Sequence, residues 1–186
     1  MTYLAIIFSS VFISNIVLSS LIGLPVFDKE TKLKDLGSNI LSLLIVVIIS
    51  SMIVYPVYDL LLKPEGWEFL TPLFSILVVR NVKLLVNLVF ERVKLPYNKK
   101  FFGISEISTA VIFTSMLLLV NNPTFLESVF QGIGLVLGYG LVMVLVFTIK
   151  PRLDLPGGPK SFQGIPILLV TLGLVAMVFL GLAGIL

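Results

Sequence analysis

Residues 128–149, SVFQGIGLVLGYGLVMVLVFTI, form a long stretch without a charged side chain. A hydrocarbon core about 30 Å thick is crossed by roughly 20 predominantly apolar residues in a helix. The stretch therefore predicts a membrane-spanning helix, and similar stretches recur along the whole chain. We predict six spans, near residues 3–27, 39–62, 69–90, 101–120, 128–149 and 164–186.

The composition agrees with a membrane protein and leaves little room for anything else. Hydrophobic residues make up 58% of the 186 residues, charged residues 12%, and the mean hydropathy is +1.12, whereas soluble domains carry about 25% charged residues. The first ten residues, MTYLAIIFSS, lack the basic region and small-residue cleavage site of a signal peptide, so we read them as part of a retained span. We expect a single all-α membrane domain over residues 1–186.

The chain contains neither Cys nor His. Disulfides and thiolate-bound clusters are therefore excluded, and the commonest haem and zinc ligand is missing. No carboxylate pair shares a face, and no nucleophile lies beside a base, so we do not expect the chain to be a catalyst on its own. The basic pI of about 9.2 is interpreted as a record of membrane orientation and does not indicate nucleic-acid binding.

Most of the 13 Lys and Arg residues fall in alternate connections between the predicted spans. The opposite connections contain only Lys63. Since basic loops stay in the cytoplasm during insertion, both termini are expected on the outer side. The cytoplasmic basic residues are Lys29, Lys32 and Lys34, then Arg92, Lys94, Lys99 and Lys100, then Lys150, Arg152 and Lys160.

Two of the spans contain helix-breaking or unusually polar residues at matching positions. Gly23 and Pro25 interrupt the first span, and the fourth opens with FFGISEISTA, in which Gly103 is followed by Ser, Glu and Thr. Interrupted helices at matching positions are typical of inverted repeats. We predict two three-helix repeats, about 1–95 and 96–186. The alternative is that Gly and Pro are simply frequent in membrane helices.

Charged residues inside the predicted spans are candidates for an ion path. Arg80 and Lys83 are three residues apart and are predicted to share one helix face, and Glu106 lies in the polar start of the fourth span. One interpretation has Glu106 as the titrating group and Arg80 or Lys83 as its counter-ion. The other has Lys83 reaching the surface and Glu106 at the headgroups, so that only Arg80 is deep.

Gly134 and Gly138 form a Gly-x-x-x-Gly step in the fifth span. Such a step lets a second helix backbone approach closely. The sequence leaves open whether that helix belongs to the same chain or to a dimer partner.

Three segments together carry a family resemblance. They are FLESVFQGIGLVLGYGLVMVLVFTIKPRL (125–153), PKSFQGIPILLVTLGLVAMVFLGLAGIL (159–186) and FISNIVLSSLIGLPVF (12–27), the last of which includes Asn15 and a Gly-Leu break. These segments resemble the Rnf/Nqr membrane subunit family, on its RnfA/NqrE side. The resemblance covers nearly the whole chain and adds Asn15 to the candidate ion-path residues.

The resemblance implies a subunit of an ion-pumping electron-transport complex in the prokaryotic cytoplasmic (inner) membrane. In that family two homologous six-helix subunits of opposite topology pair, and each gives one Cys from each interrupted helix to a [2Fe-2S] cluster held by four thiolates. Here the first Cys position is occupied by Pro25, in Gly23-Leu24-Pro25-Val26-Phe27. The second falls within Ser108, Thr109, Ala110 and Val111, and none of these can replace a thiolate.

We therefore expect the cluster to be absent and the chain to be a divergent paralogue, although removal of the cysteines by engineering would give the same composition. The leading hypothesis is a subunit of an Rnf/Nqr-like ion-translocating complex, with a scaffold or ion-path role and a homologous partner of opposite topology. The alternative is an independent inverted-repeat transporter or channel-like protein. A third hypothesis is a purely structural assembly partner.

Overall fold

The computed structural model describes residues 3–21, 33–93, 112, 114, 116, 124–153 and 164–183. The described residues are helical, with no strand among them, which confirms the prediction of an all-α protein. Short π-helical and 3₁₀ turns, Tyr58–Leu62 and Glu68–Leu70, connect two of the helices. The helices are α1 (Tyr3–Phe12), α2 (Ile16–Ser20), α3 (Leu33–Val57), α4 (Thr71–Val93), α5 (Phe125–Leu153) and α6 (Ile165–Ala183).

Four segments are long and apolar enough to cross a membrane: Leu43–Leu62, Glu68–Val86, Phe125–Leu153 and Ile165–Leu182. They coincide with the second, third, fifth and sixth predicted spans. The first predicted span corresponds to the two shorter helices α1 and α2. Most of the fourth predicted span lies outside the described residues, and its three described residues, 112, 114 and 116, are helical.

The first span is interrupted, but the interruption that the structure describes lies at Ile13–Asn15, between α1 and α2. The sequence predicted an interruption later, at Gly23 and Pro25, and both of these residues lie outside the described part of the chain. Helix α2 ends before them, at Ser20. Leu21 is its C-cap, lies in the left-handed region with φ of 53°, and donates its backbone N–H to the Val17 carbonyl oxygen.

Helix α5 is the central helix of the described structure. It packs against α1, α2, α3 and α6, and α3 in turn packs against α4. Of the 18-residue apolar window within α5, more than half is buried (56%), against only 6% of the corresponding window of α6, which lies on the outside. The core between α3, α4 and α5 is built mainly from valines, among them Val47, Val54, Val79, Val82 and Val142.

Ring and glycine contacts give the directions of the helices. Tyr3 stacks on Phe130 with ring centroids 4.8 Å apart, and Ile7 lies beside Gly134, so α1 and α5 run parallel. Tyr55 contacts Phe125 at 5.7 Å between centroids. Further along the same helices, Ile40 packs against Gly140, so α3 and α5 run antiparallel.

The end of α4 and the start of α5 therefore lie on opposite sides of the bundle. The connection between α3 and α4 is short and reverses the chain direction, so α4 ends on the side where α3 begins. Helix α5 begins on the other side, where α3 ends. A further crossing between α4 and α5 fits this geometry. Six membrane-spanning segments therefore fit the described helices.

The Gly-x-x-x-Gly step packs against α1 of the same chain. A Cβ atom on Gly134 would lie 2.7 Å from the Ser10 Cβ and 2.9 Å from the Ile7 carbonyl oxygen. A Cβ atom on Gly138 would lie 2.8 Å from the Val11 carbonyl oxygen. Because backbone atoms cannot move aside as a flexible side chain can, only glycine permits this separation of the two helices. Of the two alternatives, contact within the chain is the one observed.

Substituting Gly134 by alanine tests this packing. We expect Gly134→Ala to lower the free energy of unfolding by about 1–3 kcal/mol, since the added methyl group would overpack the α1–α5 contact. The measurement is thermal unfolding of the purified chain in mild detergent. Gly173→Ala is the matched control, because a Cβ atom there meets nothing within 4 Å. Equal Tm values for the two variants would contradict the prediction.

Candidate functional site

The candidate ion-path residues are only partly within the described structure. Asn15, Arg80 and Lys83 are described, whereas Glu106 lies outside the described residues, as do the predicted helix breaks at Gly23, Pro25 and Gly103 and the four residues Ser108 to Val111. The pairing of Glu106 with Arg80 or Lys83 therefore stays a prediction.

The break between α1 and α2 is closed by hydrogen bonds within the chain. The backbone N–H groups of Ile13 and Ser14 both donate to the Ser9 carbonyl oxygen, at 2.8 and 3.0 Å, and tighten the end of α1. Asn15 then adopts an extended conformation, with φ of −61° and ψ of 119°, and becomes the N-cap of α2. Asparagine is among the residues preferred at this position, because its side chain accepts from unpaired N–H groups of the first turn.

The Asn15 side chain joins the end of one helix to the start of the next. Its Oδ1 accepts from the backbone N–H groups of Val17 at 3.1 Å and Leu18 at 3.4 Å. Its Nδ2 donates to the Val11 carbonyl oxygen at 3.0 Å. The side chain is fully buried, and at membrane depth an unpaired backbone group would cost several kcal/mol. Asn15 therefore pairs polar groups that neither helix pairs by itself.

This geometry gives Asn15 a structural role that the sequence did not reveal. The side-chain oxygen of Asn15, Oδ1, already accepts two hydrogen bonds from the first turn of α2. An ion that bound to Oδ1 would therefore have to replace these capping hydrogen bonds. Gly138 leaves the space that the amide occupies, since a Cβ atom there would lie 2.9 Å from the Asn15 Nδ2. The signal was available, since an Asn directly before an apolar run is typical of a helix start.

Arg80 and Lys83 differ in their surroundings although both lie on α4. Arg80 is exposed on the outer face of the helix, and Lys83 is half-buried. The buried residues of α4 that face the core are others, notably Val79, Val82 and Val86. The two cations therefore differ in burial although they lie only three residues apart, and their proposed place in an ion path stays a prediction.

Three buried serines form a feature that the sequence analysis did not single out. The hydroxyl groups of Ser50, Ser75 and Ser128 are buried and have no hydrogen-bond partner among the described residues. Each lies three or four residues from buried residues of its own helix. Those neighbours are Val47 and Val54 on α3, Val78 and Val79 on α4, and Gln131 and Gly132 on α5.

The three serines also lie toward the same side of the bundle. Ser50 is two turns before the end of α3, Ser75 is in the second turn of α4, and Ser128 is in the first turn of α5. This is the side at which Tyr55 contacts Phe125. Unsatisfied buried hydroxyls are uncommon in native structures and call for an explanation. We call these residues the serine layer.

No group of three or more His, Cys, Asp or Glu side chains that could hold a metal ion occurs in the part of the chain that the structure describes. The acidic side chains described near the serine layer end of the bundle lie at the helix termini. Asp59, for example, is half-exposed and pairs with Lys63 at 3.7 Å.

Substituting Asn15 by alanine tests its role at the break. We expect Asn15→Ala to lower the free energy of unfolding by about 1–3 kcal/mol, because two N–H groups and one carbonyl lose their buried partner. Thermal unfolding in mild detergent measures the change. Asn81→Ala is the control, since the exposed Asn81 side chain bonds only to the Leu77 carbonyl oxygen of its own helix, at 2.8 Å. A loss in the control as large as in Asn15→Ala would refute the assignment.

Comparison with known proteins adds what the geometry alone does not supply. The chain is 30% identical to the A subunit of the Na⁺-translocating ferredoxin:NAD⁺ oxidoreductase complex of Acetobacterium woodii, over 99% of the chain and 98% of that protein. It is 31% identical to the A subunit of the ion-translocating oxidoreductase complex of Hahella chejuensis, over 98% and 96%. It is 29% identical to the A subunit of the proton-translocating ferredoxin:NAD⁺ oxidoreductase complex of Clostridium ljungdahlii, over 98% and 97%.

The family model described as "Rnf-Nqr subunit, membrane protein" matches residues 3–186. The match includes the central helix α5, the interrupted first span and the exposed helix α6. The chain therefore belongs to the Rnf-Nqr family of membrane protein subunits.

Proposed function

We propose that this protein is a membrane subunit of an ion-translocating oxidoreductase complex of the Rnf/Nqr type, in which it has a scaffold or ion-path role. The observation that carries the proposal is the family match over residues 3–186. The named relatives, each similar over nearly its whole length, are all A subunits of such complexes. A chain of this composition has little mass outside the membrane, so the soluble chemistry must belong to other subunits.

The proposed role does not include a cysteine-bound cluster. The chain has no cysteine at any position, so its donor set does not fit a cluster held by four thiolates. No histidine is present to substitute for a thiolate, as occurs in some two-iron clusters. In this proposal the electrons pass through other subunits, and this chain contributes packing surface and polar groups within the membrane.

The finer points of topology and partnership are part of the same proposal. Both termini face outward from the cytoplasmic membrane, the basic connections face the cytoplasm, and the partner is a homologous six-helix subunit of opposite topology. The alternating basic connections support this orientation. The antiparallel arrangement of α3 and α5 agrees with it. The two proposed repeats remain about 1–95 and 96–186.

The serine layer supports an ion-path role. Buried hydroxyls that have no hydrogen-bond partner in the described part of the chain can bind water or a small hard cation, since oxygen ligands suit such ions. The relatives are named for both Na⁺ and H⁺ translocation, so either ion is consistent with the family. Glu106 remains the candidate for the titrating group, with Arg80 or Lys83 as its counter-ion, and this pairing awaits a test.

Purification of the tagged chain from its native membranes tests the complex. We expect a second six-span protein and flavin- or iron-containing subunits to co-purify in mild detergent under anaerobic conditions, with no iron on this chain once it is separated. An unrelated six-span membrane protein with the same tag is the control. Recovery of the chain only as a monomer or homodimer would contradict the proposal and favour the independent-transporter hypothesis.

Alanine substitutions in the serine layer test the ion-path role. We expect Ser50→Ala and Ser128→Ala each to lower the rate of ion translocation roughly two- to tenfold, the value of one hydrogen bond, while stability stays the same or rises. Ion uptake by membrane vesicles and thermal unfolding are the two measurements. Ser51→Ala is the control, because that hydroxyl already donates to the Ile48 carbonyl oxygen at 2.8 Å. Unchanged translocation in both test variants would remove the serine layer from the path.

A further inference from the structure

The outer face of α4 carries an arginine among exposed apolar residues. Arg80 is exposed, and most residues around it on the same side of the helix are leucines and isoleucine with about half or more of their surface exposed. The half-buried Lys83, three residues further on, lies at one edge of this side. We call this surface the Arg80 face. It consists of Leu73, Ile76, Leu77, Arg80, Leu84 and Leu88.

Arg80 lies inside the segment Glu68–Val86, which is long and apolar enough to cross a membrane. It is twelve residues after Glu68 and six before Val86, about 18 Å and about 9 Å along the helix axis. Long cationic side chains can reach the interface when they lie close to a helix end. An arginine more than one turn inside the span has its Cα within the hydrocarbon, where an unpaired charge is strongly disfavoured.

The described part of the chain does not neutralise this charge. No hydrogen bond or ion pair to Arg80 occurs among the described residues. The acidic residues in the described part of the chain lie near or beyond helix ends and not at the depth of Arg80; they are Asp35, Asp59, Glu65, Glu68, Glu91 and Glu127.

Helix α6 has an exposed surface of a different composition. Its outward residues include Leu174, Met177 and Val178, and the whole helix Ile165–Ala183 contains no charged residue. The outer face of α4 has similar apolar exposure but differs in carrying Arg80 at its centre. Lipid chains are a suitable neighbour for α6, whereas they offer nothing to a guanidinium group.

We propose that the Arg80 face docks against a membrane-spanning helix of another subunit, and that this helix carries an Asp or Glu side chain at the depth of Arg80. A carboxylate is the complementary group because the planar guanidinium can donate two parallel hydrogen bonds to it. The leucines on either side would exclude lipid and water from the pair. This inference rests on the proposed function, since it requires a complex with at least one further membrane subunit.

A substitution at Arg80 tests whether the charge holds the complex together. We expect Arg80→Met to lower the yield of the co-purified membrane partner by about tenfold or more, because removing one member of a buried charge pair leaves the other unpaired. Arg80→Lys keeps the charge but cannot donate two parallel hydrogen bonds, so it is expected to retain more of the complex than Arg80→Met and less than the unmodified chain. Leu84→Met is the matched control on the same face and leaves the complex unchanged. Equal yields for Arg80→Met and Leu84→Met would overturn the inference.

Cross-linking identifies the occupant of the face. A photoreactive amino acid at position 84 is expected to cross-link, in native membranes, to a peptide of another subunit that contains an intramembrane Asp or Glu. Converting that residue to Asn or Gln should reproduce the loss seen with Arg80→Met, and the double variant should lose no more than either single variant. Cross-links only to lipid, or only to a second copy of this chain, would overturn the inference.

Glu106 provides the last control, because it belongs to the part of this chain outside the described residues. If Glu106→Gln alone reproduces the loss, the partner of Arg80 lies within this chain and the inference fails. The outcomes are separable from those of the proposed function. An Arg80→Met chain that still co-purifies with all flavin- and iron-containing subunits leaves the proposed function standing and removes only this interface.

Discussion

Within a membrane, every backbone N–H and C=O group must be paired inside the protein, and the described structure depends on how the first helix meets this requirement. One helix ends at Phe12 and the next starts at Ile16, in the middle of the first predicted span, 3–27. Asn15 provides the acceptor and the donor that the two helix ends need. The break is therefore tolerated because one side chain pairs with both helices.

The contact of α5 with α1 and with Asn15 also determines how the other helices pack. Gly134 and Gly138 let the backbone of α5 approach α1 so closely that a methyl group would collide with backbone atoms. Through this approach α5 becomes the central helix, with α3 on another side and α6 outside. The valine-rich core between α3, α4 and α5 then forms around a helix whose position the glycines have set. Close packing of small residues replaces the hydrophobic effect, which does not drive helices together in lipid.

Much of this fold could be predicted from apolar periods and charge positions. The predicted span 69–90 overlaps Thr71–Val93 and the predicted span 128–149 falls within Phe125–Leu153, because predominantly apolar runs of about 20 residues are typical of membrane-spanning helices. The break at Asn15 was missed because Gly23 and Pro25 are stronger helix-breaking signals in the same span, although an Asn before an apolar run is typical of a helix start. The serine layer was missed because an isolated serine in a span resembles any other small residue. The different surroundings of Arg80 and Lys83 depend on helix rotation, which spacing along one helix does not determine.

The parallel contact between α1 and α5 has a consequence for biosynthesis. More than 120 residues separate Ser10 from Gly134, so at translation rates of 5–20 residues per second the first segment waits roughly 6–25 s for its packing partner. During that interval the break cannot rely on α5. All three side-chain hydrogen bonds of Asn15 go to residues within four positions of it. The first segment therefore contains the hydrogen-bond partners that Asn15 needs at the break. It can enter the bilayer before α5, which later packs against it, has been synthesised.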